Sequence, residues 1–110
     1  MIITFRDDAL SELYETGKTT DRKYKYICKN KKLLDGYIRA VNIMYNIEST
    51  DKLKPFSFLH YEKLKYQHEG PKSSVRLANR MIERLLFTET DDGIEIELIE
   101  IDKTHYGNKK

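Results

Sequence analysis

The last third of the chain constrains the fold most strongly, because it carries a strand pattern with a break in phase. Ile94, Ile96 and Leu98 alternate with acidic residues, and Ile99 and Ile101 then continue the alternation one residue out of phase. A period of two predicts a strand with one buried face. A β-bulge near Leu98-Ile99 would keep both sets of apolar side chains on that face. The pattern therefore predicts a long strand with a bulge.

Two turns are predicted before this strand. Asp91, Asp92 and Gly93 contain an Asp-Gly pair, which is a strong hairpin signal. The other turn is predicted near Asn79-Arg80, in the first hairpin of this part of the chain. These signals predict three antiparallel strands in the last third of the chain.

The first half of the chain predicts one short strand and two helices. Residues 2–5 are apolar and β-prone, and either Asp7 or Asp8 can cap a helix that Gly17 closes. A longer amphipathic helix is predicted over residues 21 to about 47, although its first half can also be a loop or a separate turn. Its apolar stripe is predicted to consist of Leu34, Ile38, Val41 and Tyr45, flanked by Leu33, Tyr37, Met44 and Ile47.

Together these elements predict an α+β domain spanning residues 1–110. A short N-terminal strand and two helices would pack on a C-terminal antiparallel sheet. Residues 56–66, between the helices and the last three strands, are aromatic and are predicted to be extended. The 110-residue length suits a single domain.

Composition limits the compartment and excludes some classes of site. No apolar run approaches the roughly 20 residues that a membrane-spanning helix needs, so no membrane partner is expected. The N-terminal residues lack the pattern of a signal peptide. Cys28 is the single cysteine, which excludes an internal disulfide and a zinc site of the Cys-x-x-Cys type. We therefore expect a cytoplasmic protein with no cofactor and no metal.

The net charge of +2 hides an uneven distribution along the sequence. Residues 51–84 hold eight basic and four acidic residues, whereas residues 85–102 hold seven acidic residues and no basic one. A nucleic acid would bind the first surface and avoid the second. The acidic last strand is therefore expected to lie away from an RNA-binding surface.

Several side chains in the second half suit RNA cleavage without a metal. That reaction needs proton transfer at the ribose 2′-hydroxyl and at the leaving oxygen, together with cations beside the phosphate. Arginines at even spacing on a strand can share one face. The candidates are His60, Lys63, Lys65, His68, Arg76, Arg80, Arg84, His105 and Tyr106.

Each candidate also has a structural interpretation. His60 can be a packed, hydrogen-bonded histidine in its aromatic segment, and Arg80 can be a solvent-exposed turn residue. Arg84 can pair with a carboxylate of the acidic neighbouring strand. Lys63 and Lys65 can simply point to solvent. His105 and Tyr106 can simply close the sheet.

The order of several short motifs resembles the HigB branch of the RelE/ParE toxin superfamily. The motifs are an Ile-x-Phe-x-Asp-x-x-Leu opening at residues 3–10, a central helix, Leu64-Lys65, Ser74-Val75-Arg76, residues 83–87 (ERLLF) and the terminal His105-Tyr106. The similarity extends over nearly the whole chain. It implies a small fold of the microbial ribonuclease type.

The resemblance implies a toxin of a type II toxin–antitoxin system that cleaves mRNA in the ribosomal A site. It implies that Lys65, Arg76 and Arg84 bind the scissile phosphate, that His105 is a general acid or base, and that Tyr106 stacks on a base or assists. The remaining RNA contacts are predicted at His60, Lys63, Lys72 and Arg80. The partners would be mRNA, ribosomal RNA and a helix-turn-helix antitoxin of the HigA type.

Two alternatives remain open at the level of sequence. ParE-type toxins share the scaffold but poison DNA gyrase by binding it, and a non-catalytic binding module could use the same fold. His105 and Lys65 favour the nuclease, because an inhibitor needs no titratable group at those positions.

Overall fold

The computed structural model describes residues 1–64 and 73–103. Within these ranges the chain is an α+β fold in which helices cover one face of a mixed sheet. The five strands are β1 (Ile2–Phe5), β2 (Glu62–Lys63), β3 (Ser73–Arg76), β4 (Arg84–Glu89) and β5 (Glu95–Asp102). The predicted fold class is confirmed. None of the helices in the described part is long and apolar enough to cross a membrane.

The sheet has the order β1-β5-β4-β3-β2. Neighbouring strands from β2 to β5 are antiparallel, as predicted, whereas β1 pairs in parallel with β5. Both predicted turns are present, with Arg80 at φ 66° and Gly93 at φ 74°. The first and last strands of the sequence-predicted fold thus become neighbours.

The bulge predicted in the last strand is confirmed. Leu86 of β4 pairs with Glu100, but Phe87 pairs with Leu98, which leaves Ile99 as the extra residue. Ile96, Leu98 and Ile101 are all buried as a result. The bulge therefore restores the phase for these three residues, whereas Ile94 is 42% exposed and Ile99 is only partly buried, so the two predicted sets do not lie entirely on the buried face.

The first helix follows its predicted signals closely. Helix α1 (Asp8–Thr16) begins after Asp7, whose Oδ1 accepts a hydrogen bond from the Ala9 N–H at 2.9 Å. It ends at Gly17, which has φ 77° and donates its N–H to the Leu13 carbonyl. Of the two candidate caps, Asp7 is the one used.

The long second helix is divided, as the alternative interpretation of its first half predicted. Helix α2 (Lys25–Cys28) is one turn long, and helix α3 (Lys31–Asn46) begins after Asn30. The Asn30 Oδ1 accepts a hydrogen bond from the Leu33 N–H at 3.2 Å. This capping bond starts α3 as a separate helix.

The predicted apolar stripe of α3 is displaced around the helix. Tyr45 is 43% exposed, and Leu34 and Ile38 are only partly buried. The fully buried face contains Val41 from the predicted stripe and the predicted flanking residues Leu33, Tyr37 and Met44, together with Gly36 and Ala40. Gly36, which has no side chain, and the small side chain of Ala40 allow α3 to approach the sheet on this side, which the apolar pattern alone did not indicate.

Residues 56–64 are only partly extended, so that prediction is wrong for the first half of the segment. After a short 3-10 helix at Thr50–Leu53, a second one forms at Ser57–Leu59. Phe56 and Leu59 lie three residues apart and share the inner side of such a helix, and they are partly and fully buried. An extended strand would put these two apolar side chains on opposite faces.

Candidate functional site

Arg76 and Arg84 are brought together on one face of the sheet. They are direct partners in the register of β3 and β4. Directly opposed residues of antiparallel strands point to the same face. The helices cover the other face, which carries Val75, Leu85 and Phe87. Arg80 does not join them, because it lies exposed in the turn between these strands, as its structural interpretation predicted.

Arg84 is a buried arginine with several protein partners. It is 8% exposed, and its Nε donates a hydrogen bond to Ser74 Oγ at 2.9 Å. Its Nη2 donates to the His60 carbonyl at 2.6 Å and lies 3.8 Å from Glu62 Oε1. A buried guanidinium needs such partners to offset its lost hydration. Arg84 therefore links β4 to β2 across β3, and its role in phosphate binding stays a prediction.

Arg76 differs from Arg84 in exposure and in contacts. Its side chain is half-buried, and among the described residues it makes no hydrogen bond and no ion pair. Arginine offers five donors in a planar fork that matches a phosphate. Within residues 1–64 and 73–103, Arg76 is thus the member of the pair that is available to an anion.

The acidic strand lies beside the strand that carries Arg84, as the structural interpretation of Arg84 expected, and its position relative to bound RNA stays a prediction. Strand β5 pairs with β4, and Asp102 is the register partner of Arg84. Glu97 and Glu100 lie on the same face, opposite Thr88 and Leu86. This face of the sheet is therefore divided into a basic part at β3 and an acidic part at β5.

The predicted RNA contacts His60 and Lys63 lie at the edge of the sheet. His60 ends the second 3-10 helix at φ 47° and is exposed, so the interpretation as a packed histidine is wrong. The Lys63 side chain is 72% exposed, and its Nζ lies 4.0 Å from Glu89 Oε1. Both side chains are therefore accessible at the β2 edge of the sheet.

Five of the candidate residues lie outside the described residues: Lys65, His68, Lys72, His105 and Tyr106. Their places in the sequence are nevertheless defined relative to the sheet. Lys65 follows β2 by two residues, and Lys72 immediately precedes β3. His105 follows by three residues Asp102, the end of β5 and the register partner of Arg84.

Glu89 forms a polar cluster that the sequence interpretation missed. Its Oε1 accepts a hydrogen bond from Thr50 Oγ1 at 2.6 Å, and its Oε2 accepts bonds from Tyr61 OH at 2.7 Å and Ser73 Oγ at 2.5 Å. Only 7% of the Glu89 side chain is exposed. One signal was present, because Glu89 continues the inward alternation of Leu85 and Phe87. An acidic residue at an inward position of a strand requires partners.

The electrostatics of this cluster favour a fixed carboxylate. Burial acts to raise the pKa of Glu89, but hydrogen bonds from Ser73, Thr50 and Tyr61 and the charge of Lys63 lower that pKa below its ordinary value. Burial, followed by the bond to the Glu89 carboxylate, raises the pKa of Tyr61 to about 12. At neutral pH the carboxylate is thus ionised and the phenol protonated, which suits a structural role.

Two further features complete the surface. An open groove of about 510 Å³ runs along α3, with Ile38, Ile43, Ile47 and Phe56 among its apolar lining residues.

No cluster of three or more His, Cys, Asp or Glu side chains within residues 1–64 and 73–103 could hold a metal. The metal-independent mechanism itself stays a prediction.

Comparisons with protein families, with curated proteins and with solved structures found no match to this chain. The α+β architecture is established by the chain's own structure, whereas the resemblance to the HigB branch rests on its short sequence motifs. Activity and partners therefore follow as proposals.

Proposed function

We propose that the protein is the toxin of a type II toxin–antitoxin system and cleaves mRNA in the ribosomal A site. The observation that carries this proposal is the juxtaposition of Arg76 and Arg84 in one register pair. Two guanidinium groups at this spacing, one held by protein partners and the other without a described partner, suit a phosphate with developing negative charge. The proposed compartment is the cytoplasm.

The cleavage would proceed by attack of the ribose 2′-hydroxyl on the adjacent phosphate. The hydroxyl loses its proton, the bond from phosphorus to the 5′-oxygen breaks to leave a 2′,3′-cyclic phosphate, and the leaving 5′-oxygen is protonated. Arg76 would contact the phosphate. The charge of the buried Arg84 would add to the positive electrostatic potential at that phosphate. His105 would transfer a proton as general acid or base, with Lys65 as a further cation and Tyr106 stacked on a base. The short connection supports this, since three residues reach at most about 11 Å beyond Asp102.

The charge distribution indicates the direction from which RNA would approach. His60 and Lys63 are exposed at the β2 edge of the sheet, whereas Glu97 and Glu100 occupy the β5 part of the face that carries Arg76. Phosphates would be attracted to the first part and repelled by the second. The RNA would therefore lie along the β2–β3 edge, with Arg80 and Lys72 as outer contacts. Ribosomal RNA and an antitoxin of the HigA type are the proposed partners.

The proposal is tested by expressing the chain alone and mapping mRNA ends by primer extension. Wild type is compared with Arg76→Ala, Lys65→Ala and His105→Ala. Lys31→Ala serves as the control, because Lys31 makes a surface ion pair with Asp35 on α3. We expect growth arrest with cuts in the A-site codon for wild type and the control. Each site substitution should reduce cleavage by roughly a hundredfold.

A second candidate is a toxin or binding module that acts by protein contact alone, for example by poisoning gyrase. The groove along α3 favours it, because open apolar grooves are common at protein interfaces. DNA damage with intact transcripts, unchanged by Arg76→Ala, would support this candidate and contradict the nuclease. Absence of toxicity would support a binding module.

A further inference from the structure

We propose that Glu89 is a positioning residue for the edge segment made of residues 60–63. Glu89 holds this segment on the sheet from the helix-covered face, and Arg84 holds it from the opposite face. The segment carries the proposed RNA contacts His60 and Lys63, so this part of the inference rests on the proposed function. The anchoring itself rests on contacts of described residues.

Within residues 1–64 and 73–103, the edge strand has a short backbone ladder. In this part of the chain, strand β2 is two residues long and pairs with β3 at two positions, Glu62 with Ser74 and Lys63 with Ser73. Short edge pairings of this kind are marginal without side-chain support. The segment therefore depends on contacts beyond the backbone ladder.

Glu89 supplies such contacts on the helix-covered face. Its carboxylate accepts the Tyr61 hydroxyl and lies within ion-pair distance of Lys63. These two residues flank Glu62 and so project to the same face of the strand. Ser73 binds the same carboxylate, and Thr50 adds the first 3-10 helix. One carboxylate thus joins four parts of the chain.

Arg84 acts in the same way on the other face. It binds Ser74, the His60 carbonyl and the Glu62 carboxylate. Strands β4 and β2 are two strand spacings apart, roughly 10 Å. A side chain from β4 can reach β2 only if β3 presents a small residue on the way.

The two adjacent serines of β3 meet this requirement on both faces. Ser73 projects to the face of Glu89 and Ser74 to the face of Arg84, and both serines are fully buried. Each hydroxyl is also a hydrogen-bond partner for the side chain that passes over it. The five-residue separation of Arg84 and Glu89 puts them on opposite faces. The segment is therefore held by side chains on both faces of the sheet.

This anchoring leaves Lys63 able to bind RNA. The ammonium is 4.0 Å from the carboxylate and its side chain is mostly exposed. The ion pair is long and its lysine end lies in solvent, which weakens it, and a lysine has three donors. Glu89 therefore restricts the orientation of the Lys63 side chain but leaves donors of its ammonium group available to RNA.

The test compares Glu89→Gln with wild type and with Glu97→Gln. Glu97 is a β5 carboxylate on the other face that binds Arg6 at 3.0 Å, so its variant loses the same charge without touching the segment. Amide hydrogen exchange is measured for residues 60–63, for residues 73–76 and for α3. For Glu89→Gln we expect faster exchange in residues 60–63 and 73–76 and unchanged exchange in α3, and for Glu97→Gln we expect no change in any of the three regions. Tyr61→Phe, which removes one bond, should show a smaller change in the same residues.

Kinetics on programmed ribosomes separate positioning from loss of folded protein. A displaced contact segment raises KM, by roughly five- to tenfold, with kcat nearly unchanged. A purely structural defect lowers the fraction of the protein that is folded and active. The apparent kcat then falls while KM is unchanged. A lower kcat at unchanged KM would overturn the inference. Unchanged exchange in residues 60–63 of Glu89→Gln, or faster exchange that extends through α3, would also overturn it. If wild type cleaves no mRNA, the proposed function and the RNA role both fail, while hydrogen exchange still decides whether Glu89 holds the segment.

Discussion

Gly36 of α3 lies directly against the backbone carbonyl of Leu77. A Cβ atom built on Gly36 would come within 1.9 Å of the Leu77 oxygen. Leu77 follows β3 in the connection to β4, so this contact sets how closely α3 approaches the strand that carries Arg76. The glycine is required here by space and not by backbone angle.

Gly36→Ala should therefore destabilise the protein despite the better helix propensity of alanine. Alanine gains about 1 kcal/mol in a helix interior, but an atom at 1.9 Å from a backbone oxygen forces α3 to move. We expect a net loss of about 1–3 kcal/mol in the free energy of unfolding. Urea denaturation measures it, with Lys32→Ala at an exposed position of α3 as control. A more stable Gly36→Ala protein would contradict the packing described.

Replacing Arg84 should cost more than replacing its ionic partner. Arg84→Met removes the described donor from the buried Ser74 hydroxyl and from the His60 carbonyl, whose bond is partly buried. We expect a loss of about 2–4 kcal/mol in unfolding free energy. Glu62→Gln should cost under about 1 kcal/mol, because the Glu62 side chain is 54% exposed. Equal losses in the two variants would show that the ion pair, and not the burial of Arg84, dominates.

The Glu89 cluster predicts a specific acid dependence of stability. The pKa of Glu89 is lower in the folded protein than in the unfolded chain, because the bonds from Ser73, Thr50 and Tyr61 and the charge of Lys63 outweigh burial. Its contribution is complete above the unfolded pKa and is lost as pH falls through the folded pKa. Unfolding free energies measured from neutral to strongly acidic pH should thus fall further for wild type than for Glu89→Gln. Parallel curves would contradict the lowered pKa.

The two aspartates before α1 should differ when each is changed to alanine. Asp7 accepts the Ala9 N–H, so Asp7→Ala should cost about 1 kcal/mol. Asp8 lies in the first turn and favours the helix only through the dipole, so Asp8→Ala should cost about 0.3–0.5 kcal/mol. Thermal and urea denaturation of the pair measure the difference. A larger loss of stability for Asp8→Ala than for Asp7→Ala would contradict the assignment of Asp7 as the N-cap.

The sequence by itself determined the features that depend on neighbours in the chain. The bulge at Ile99, the turn at Gly93 and the closure of α1 at Gly17 were predictable, because each arises from local backbone preferences or from one strand's alternation. The division of the second helix was left open, since the cap at Asn30 competes with a continuous apolar pattern. The α+β class followed from these local elements.

Only the tertiary structure decided which side chains meet across the sheet. The parallel pairing of β1 with β5, the buried position of Arg84 and the displaced face of α3 all depend on residues far apart in sequence. Glu89 gains Thr50, Tyr61 and Ser73 only because three separate segments meet at the end of β4. Composition and periodicity record which residues prefer burial, but not which partners they find there. The pair Arg76 and Arg84 was thus predictable as a set of cations, and its division into an accessible and a buried member was not.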